Sequence, residues 1–278
     1  MKEKFTAILK LIRPINAIIT FVTVLVAAFI CCSGKIPWFS VLFASFTAVF
    51  TLAAGNIIND IFDIEIDKIN RPNRPLPSGK LSYKETIALY FIFLLLSLIL
   101  SWYINLPAFI IVFATTLLLF LYSKYLKRIP LVGNLVVAFL TGLVFIYGGI
   151  AVANPVAAII PALFAFLINL IREVVKDMQD VEGDKKSGVN TFPIRYGFQK
   201  SRILILAVTV MLILYTLYPF ITRFYTIEYF IVIMIVVNPI LVYCLKILFA
   251  DHSEETLIKI SNLLKLNMIF GLIAIVLG

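Results

Sequence analysis

With 278 residues, 62% of them hydrophobic and 14% charged, and a mean hydropathy of +1.05, the chain falls outside the ordinary soluble class, in which about a quarter of residues are charged. The net charge of +9 would suit nucleic acid, but the placement of the cations argues for a membrane instead. All but Lys35 and Arg223 of the 24 Lys and Arg lie at the N-terminus or in loops of one alternating side. The positive-inside rule then puts the N-terminus and the large loops in the cytoplasm and the C-terminus outside. The excess also attracts anionic lipid headgroups.

Apolar runs near 15–33, 38–58, 86–104, 107–122, 131–152, 155–175, 203–221, 228–247 and 261–277 approach the roughly 20 residues a spanning helix needs. They do not alternate apolar and polar residues as barrel strands do. The expected fold is therefore all-α: a polytopic membrane bundle of about nine transmembrane helices in a single domain, 1–278. The first run is too long for a cleavable signal and ends without a convincing cleavage site at Ser33 and Gly34. Cys31, Cys32 and Cys244 sit in apolar runs as small buried hydrophobes. With His252 the single histidine, no His-based metal site can be assembled.

The second run ends in Asp60, Asp63, Glu65 and Asp67, and the sixth in Glu173, Asp177, Asp180, Glu182 and Asp184, most of the 15 acidic residues in the chain. Both segments read D-x-x-D-x-x-x-D followed by Lys (Lys68, Lys185). This repeat points to two related halves, about 1–130 and 131–278. On a continuous helix, positions 3 and 7 apart share about a 60° arc. Asn56 and Glu173 fall on the same stripes, and Gly183 is expected to end the second helix early, so that Asp184 reaches in from a loop. Clustered carboxylates at a membrane boundary are costly unless paired. Oxygen ligands without His or Cys favour a hard ion. Mg²⁺, which takes one or two carboxylates and shares its remaining positions with water and phosphate, suits a diphosphate. Solvated acids balancing nearby cations are the bland alternative, and an ion path through a transporter is the rival from another class.

Between the second and third runs lies Arg71-Pro-Asn-Arg74-Pro-Leu-Pro-Ser-Gly79-Lys80, a loop stiffened by three prolines. Arg71 and Arg74 are expected to meet phosphate, because guanidinium binds it bidentately; Lys80 and Lys84 read as topology charge. The fourth run closes on Tyr122-Ser-Lys124-Tyr-Leu-Lys127-Arg128. There Tyr122 either faces an allylic cation or anchors at the interface. Past the second acidic segment, Lys185, Lys186 and Arg195 are further candidates for neutralising phosphate.

Together these residues resemble the UbiA superfamily of intramembrane prenyltransferases. The resemblance rests on Asn59-Asp60-x-x-Asp63-x-x-x-Asp67 and Lys176-Asp177-x-x-Asp180-x-x-x-Asp184. Arg13-Pro14-x-Asn16, Arg74-Pro75-Leu76-Pro77-Ser78-Gly79 and Tyr122…Lys127 follow in the expected order. It implies nine helices around a central cavity with cytoplasmic cap loops, open sideways to lipid. Within the superfamily, Asn70-Arg71-Pro72-Asn73-Arg74-Pro75 and the stretch from Arg172 to Lys186 are similar to archaeal digeranylgeranylglyceryl phosphate synthases. Those join a second geranylgeranyl chain to geranylgeranylglyceryl phosphate in ether-lipid synthesis. An aromatic quinone precursor such as 4-hydroxybenzoate is the alternative acceptor.

The expected metal ligands are Asn59, Asp60, Asp63, Asp67, Asp177, Asp180 and Asp184. Asp63, Asp67, Asp180, Asp184 and Tyr122 are expected to act on the reacting groups. Asn16, Asn56, Arg71, Arg74, Lys124, Lys127, Lys185 and Arg195 are expected to bind substrate. Lys124, Lys185 and Arg195 are the spare cations if the acceptor carries a phosphate. The implied partners are a prenyl diphosphate, a lipid-soluble acceptor and membrane lipid, with no nucleic acid and no obligate protein partner.

Overall fold

The structure, a computed structural model, describes residues 2–186, 188–251 and 253–278. His252 and the side chain of Lys186 lie outside the described set. Every regular element among these residues is helical. In chain order they are α1 (Lys2–Ile12), α2 (Pro14–Cys31), α3 (Trp38–Phe62), α4 (Ile64–Asn70), α5 (Tyr83–Ile104), α6 (Leu106–Lys124) and a 3₁₀ turn (Leu126–Arg128). Then come α7 (Val132–Ala151), α8 (Ile159–Gln179), α9 (Val181–Lys186), α10 (Phe192–Ile221), α11 (Ile227–Val232), a π turn (Ile233–Val237), α12 (Asn238–Ala250) and α13 (Glu254–Leu277).

Eight helical segments among the described residues are long and apolar enough to cross a bilayer. Seven of them are α2, α3, α5, α6, α7, α10 and α13. The eighth is the continuous Ile227–Ala250 segment, in which the π turn directly precedes Asn238-Pro239, where proline has no N–H to offer the helix. The remaining expected run, near 155–175, becomes α8, whose last two turns carry Arg172, Glu173, Lys176 and Asp177 and so dilute its apolar character. The burial pattern is that of a protein solvated by lipid. On α5 the buried residues are Thr86, Ser97 and Ser101, while Phe91, Ile92, Leu95 and Ile99 are exposed. Ser97 and Ser101 donate to the Leu94 and Leu98 carbonyls, each at 2.8 Å, so neither hydroxyl is left bare where lipid offers it no partner. Small residues inside and large apolar ones outside let helices pack closely where tails supply no hydrophobic drive.

The chain forms two compact units: Met1–Lys127 with Val144–Ala158, and Arg128–Leu143 with Ile159–Gly278. In the first, α3 is the central helix, packed by α1, α2, α5 and α6. The proline-rich loop between α4 and α5 is held by apolar anchors rather than left loose. Leu76 and Leu81 join Ala7 and Leu11 of α1 and Ile57, Ile58 and Ile61 of α3 in one buried cluster. The loop hands over to α5 through a capping box, in which the Ser82 hydroxyl accepts from the Glu85 N–H at 3.2 Å and the Glu85 carboxylate accepts from the Ser82 N–H at 2.8 Å. In the second unit α8 is the centre, packed by α10 and α13, with α11 and α12 against α13.

Each central helix ends in one of the acidic segments, and the two ends are built alike. Neither is a continuous helix across the motif, whereas the first was expected to run through it and the second to end only at Gly183. α3 stops at Asp63, where φ −96° and ψ 2° leave the helical well, and α4 resumes one residue later. α8 likewise stops before Asp180, and α9 resumes after it. Both breaks fall on the second aspartate of the motif. The backbone hydrogen bonds across them also match. Asp63 N–H donates to Asn59 at 3.0 Å and Asp67 N–H to Asp63 at 2.7 Å; Asp180 N–H donates to Lys176 at 2.9 Å and Asp184 N–H to Asp180 at 2.8 Å. Gly183 does not end a helix; it lies inside α9, so Asp184 sits on a helical turn rather than in a loop.

Candidate active site

In the first unit the carboxylates of the motif are each met by a cation. Arg13 Nη2 lies 2.9 Å from Asp60 Oδ1, and Arg74 Nη1 lies 3.2 Å from the same oxygen and 2.5 Å from Asp67 Oδ2. Lys127 Nζ lies 2.5 Å from Asp63 Oδ1 and 3.1 Å from Asn59 Oδ1, and Asn59 Nδ2 donates to Asp63 Oδ2 at 2.9 Å. Asn59, Asp63 and Lys127 thus close a three-membered network. Asp60 and Asp67 are buried, and ionised groups so placed require opposite charge at hand. The prolines around Arg74 hold its fork in place, and the break at Asp63 turns its carboxylate toward Lys127 at the end of the 124–127 segment.

Two residues of this site rest on the junction between α1 and α2. Arg13 has φ 59° and ψ 71°, the left-handed region, immediately before Pro14. A non-glycine residue there is strained by about 1–2 kcal/mol. Asn56, buried on α3, donates from Nδ2 to the Ile12 carbonyl at 3.2 Å and so pins the strained turn. The sequence places Asn56 among the expected substrate contacts; its observed bond is to the backbone that aims Arg13. Arg13 enters the sequence reading only as part of a motif, without a role, and Lys10 beside it not at all. A cation followed by proline next to a polar Asn was the signal available.

In the second unit Asp177 accepts from Asn134 Nδ2 at 2.9 Å, a residue in an otherwise apolar run that the sequence reading passes over. Asp177 lies beyond the apolar stretch of α8, and burial pushes its carboxyl up to about 7. The Asn134 hydrogen bond opposes this, and the Glu173 and Asp184 carboxylates add to it. Glu173 is paired with Lys176 at 2.8 Å and Arg172 at 3.3 Å. Asp180 and Lys185 are exposed, and Asp184 is half-buried.

Of the remaining expected substrate contacts, Asn16 is exposed on the first turn of α2. Lys124 lies 4.9 Å from the Tyr125 ring centroid, and Arg195 lies 5.4 Å from that of Tyr196. Arg195 belongs to the short segment of α10 that Gly197, at φ 83° and ψ 164°, splits from the spanning part. Tyr122 is half-buried at the end of α6.

Among the described residues no group of three His, Cys, Asp or Glu side chains converges on one point. Neither motif therefore gathers its three aspartates on one point, as a shared helical stripe would have it; Mg²⁺ itself takes one or two carboxylates and completes its shell with water and substrate phosphate. Carboxylates and an amide, with no His or Cys in the set, fit a hard divalent ion.

The sequence profile of the UbiA prenyltransferase family matches residues 20–269. The chain belongs to the UbiA prenyltransferase family. As such it is a multi-pass membrane prenyltransferase, and the ion-path reading of its acids is set aside. It is 39% identical over 280 residues to the digeranylgeranylglyceryl phosphate synthase of Methanocaldococcus jannaschii, covering 99% of this chain and 97% of that one. A solved structure of a digeranylgeranylglyceryl phosphate synthase superimposes with TM-score 0.87 at 39% identity, covering 99% of this chain and 98% of the other. A UbiA homologue from Archaeoglobus fulgidus, solved bound to GPP and Mg²⁺, shares the fold with TM-score 0.68 at 19% identity, covering 97% of this chain and 99% of its own.

Proposed function

We propose that this UbiA prenyltransferase moves a geranylgeranyl group from geranylgeranyl diphosphate to the hydroxyl of geranylgeranylglyceryl phosphate, forming an ether of archaeal lipid type. The observation that carries this reading is the lattice of alternating charge around Asp60, Asp63 and Asp67, in a chain similar over its whole length to digeranylgeranylglyceryl phosphate synthases. Asn59, Asp60, Asp63, Asp67, Asp177, Asp180 and Asp184 would hold Mg²⁺ together with the diphosphate. When bound, the ion neutralises the charge that develops on the leaving group.

The protein's own share is positioning and electrostatics. Lys127 and Arg74, held by Asp63 and by Asp60 and Asp67, stand where a diphosphate carried by those carboxylates would gather charge as the allylic C–O bond breaks. Preorganised cations lower that barrier without reorganising. The prenyl carbon, left as an allylic cation, is captured by the glycerol oxygen. The hydroxyl proton leaves with the diphosphate, and the new C–O bond completes the ether. Tyr122 would present its ring to the cation. Apolar surroundings exclude the water that would otherwise trap it. The basic loops and N-terminus face the cytoplasm in this reading, and the C-terminus faces out.

The test is to offer the purified protein labelled geranylgeranyl diphosphate with Mg²⁺ and either geranylgeranylglyceryl phosphate or 4-hydroxybenzoate. Label in a digeranylgeranyl ether supports the proposal. Label in the aromatic product replaces it with the quinone-precursor reaction.

A further inference from the structure

At the ion-pair network of the first acidic motif, and wholly within the first unit, a cavity of about 340 Å³ opens between the end of α1 and the proline-rich loop. Its size lies at the low end of small-molecule sites. Lys10, Arg13, Arg71 and Arg74 line it around a single carboxylate, Asp60. Asp60 is already engaged by two guanidiniums, Arg13 at 2.9 Å and Arg74 at 3.2 Å. Lys10 and Arg71 form no ion pair among the described residues. Four cations facing one carboxylate, two of them outside any ion pair, make a site for a dianion.

We propose that this cavity binds the phosphate monoester of the acceptor. A monoester is close to doubly charged at neutral pH, its second pKa being about 6, and needs no metal if it meets paired guanidiniums and an ammonium. The diphosphate is assigned to the acidic motif as a whole, with Lys127 at Asp63; this cavity shares only Asp60 and Arg74 with that site, and Lys10 and Arg71, outside any ion pair among the described residues, are the cations it adds for a second phosphate. The proposal rests on the reading of the acceptor as a phosphate-bearing lipid. It replaces Lys124, Lys185 and Arg195 as the cations that greet its headgroup; two of those three already sit over aromatic rings.

The frame of the cavity is preorganised on both sides. Arg13 holds a left-handed backbone that Pro14 and the Asn56–Ile12 hydrogen bond maintain, and strain of this kind collects where function keeps it. On the other side Pro72, Pro75 and Pro77 stiffen the loop, and the Arg74 N–H donates to the Arg71 carbonyl at 3.0 Å, fixing the turn that separates the two guanidiniums. Asp60 belongs to the cavity wall and to the acidic motif at once. A headgroup seated there leaves its glycerol hydroxyl, a few bonds from the phosphorus, next to the place where the prenyl carbon is released.

The experiment uses the full chain in detergent with Lys10→Gln, Arg71→Gln and the double variant. Both side chains are exposed, so the variants retain the fold, which monodispersity on gel filtration checks. Binding of geranylgeranylglyceryl phosphate and of its dephosphorylated alcohol is measured directly, and KM is measured for the acceptor and for geranylgeranyl diphosphate. Each single change is expected to weaken binding of the phosphorylated acceptor by roughly tenfold or more, the weight of one hydrogen bond to a charged group. The KM for the acceptor rises in parallel and the KM for the diphosphate does not. The double variant no longer prefers the phosphate to the alcohol. Unchanged acceptor binding overturns the proposal, as does a rise confined to the diphosphate KM or a wild type that binds the alcohol as tightly. Tight, Lys10- and Arg71-dependent binding without turnover supports the cavity while overturning the reaction assigned above.

Discussion

Lys127 reaches the Asp63 carboxylate at 2.5 Å from 64 positions further along the chain. Its ammonium is shared with Asn59 at 3.1 Å, so it is held at the break between α3 and α4 by two side chains on consecutive turns. In the proposed reaction, a cation held so firmly beside a carboxylate that would carry the diphosphate would act on the leaving group. Lys127→Ala is therefore expected to lower kcat by about 10²–10³, the loss typical for one preorganised charge-stabilising donor. Lys127→Arg should restore part of it. Magnesium-dependent diphosphate release from geranylgeranyl diphosphate measures both; a Lys127→Ala enzyme with full turnover would remove the residue from the site.

Asp63 and Asp180 occupy the same place in their motifs and the same helix break. Asp63→Ala and Asp180→Ala are each expected to abolish transfer while the protein still inserts in the membrane and runs as a single species in detergent. Chelation of divalent ions should do the same to the unmodified protein, with activity returning on addition of Mg²⁺. Full turnover in the purified double variant is the result that contradicts the assignment.

Much of this was legible from residue order. Apolar run lengths gave the spanning helices, because a bilayer demands length and hydrophobicity that local sequence records directly. The D-x-x-D-x-x-x-D repeat, likewise, marked both ends where charge gathers. What the sequence did not reveal is where the helices break. Local propensity extends both acidic helices through the second aspartate, and Gly183 reads as a terminator, yet the break falls at Asp63 and Asp180 and Gly183 stays helical. The partners of Asn56 and Asp177, Ile12 and Asn134, lie 44 and 43 residues away. No periodicity reports a contact of that kind. The part Arg13 plays is hidden for the same reason, since its left-handed backbone depends on what packs against it.

That backbone makes Arg13 separable into strain and charge. Arg13→Gly relieves the left-handed penalty, and Arg13→Ala keeps a Cβ in the same position and so keeps the strain. Both remove the guanidinium bound to Asp60. The glycine variant is expected to be more stable than the alanine variant by about 1 kcal/mol, with both strongly impaired in acceptor use. Thermal unfolding in detergent, read beside the acceptor KM, tests the pair. Equal stabilities would show that the turn carries no strain.

Glycine placement gives a prediction independent of the chemistry. In the first unit a Cβ on Gly148 of α7 would stand 2.6 Å from Ala27 Cβ, 2.9 Å from the Val24 carbonyl oxygen and 3.1 Å from the Ala28 nitrogen. Two of those three atoms are backbone of α2, which cannot swing aside as a side chain would, so the helices must separate. Small residues allow close approach of helices in a membrane, and association there depends on it. Overpacking of this sort costs about 1–3 kcal/mol, so Gly148→Ala should lower the unfolding temperature by roughly 2 °C or more. A Cβ added to Gly271 of α13 would meet nothing within 4 Å; Gly271→Ala should hold or raise stability, by up to about 1 kcal/mol from helix propensity alone. A thermal scan of the two variants beside the parent decides the matter, since a drop for Gly271→Ala as large as that for Gly148→Ala would mean that the contact with α2 does not set the response.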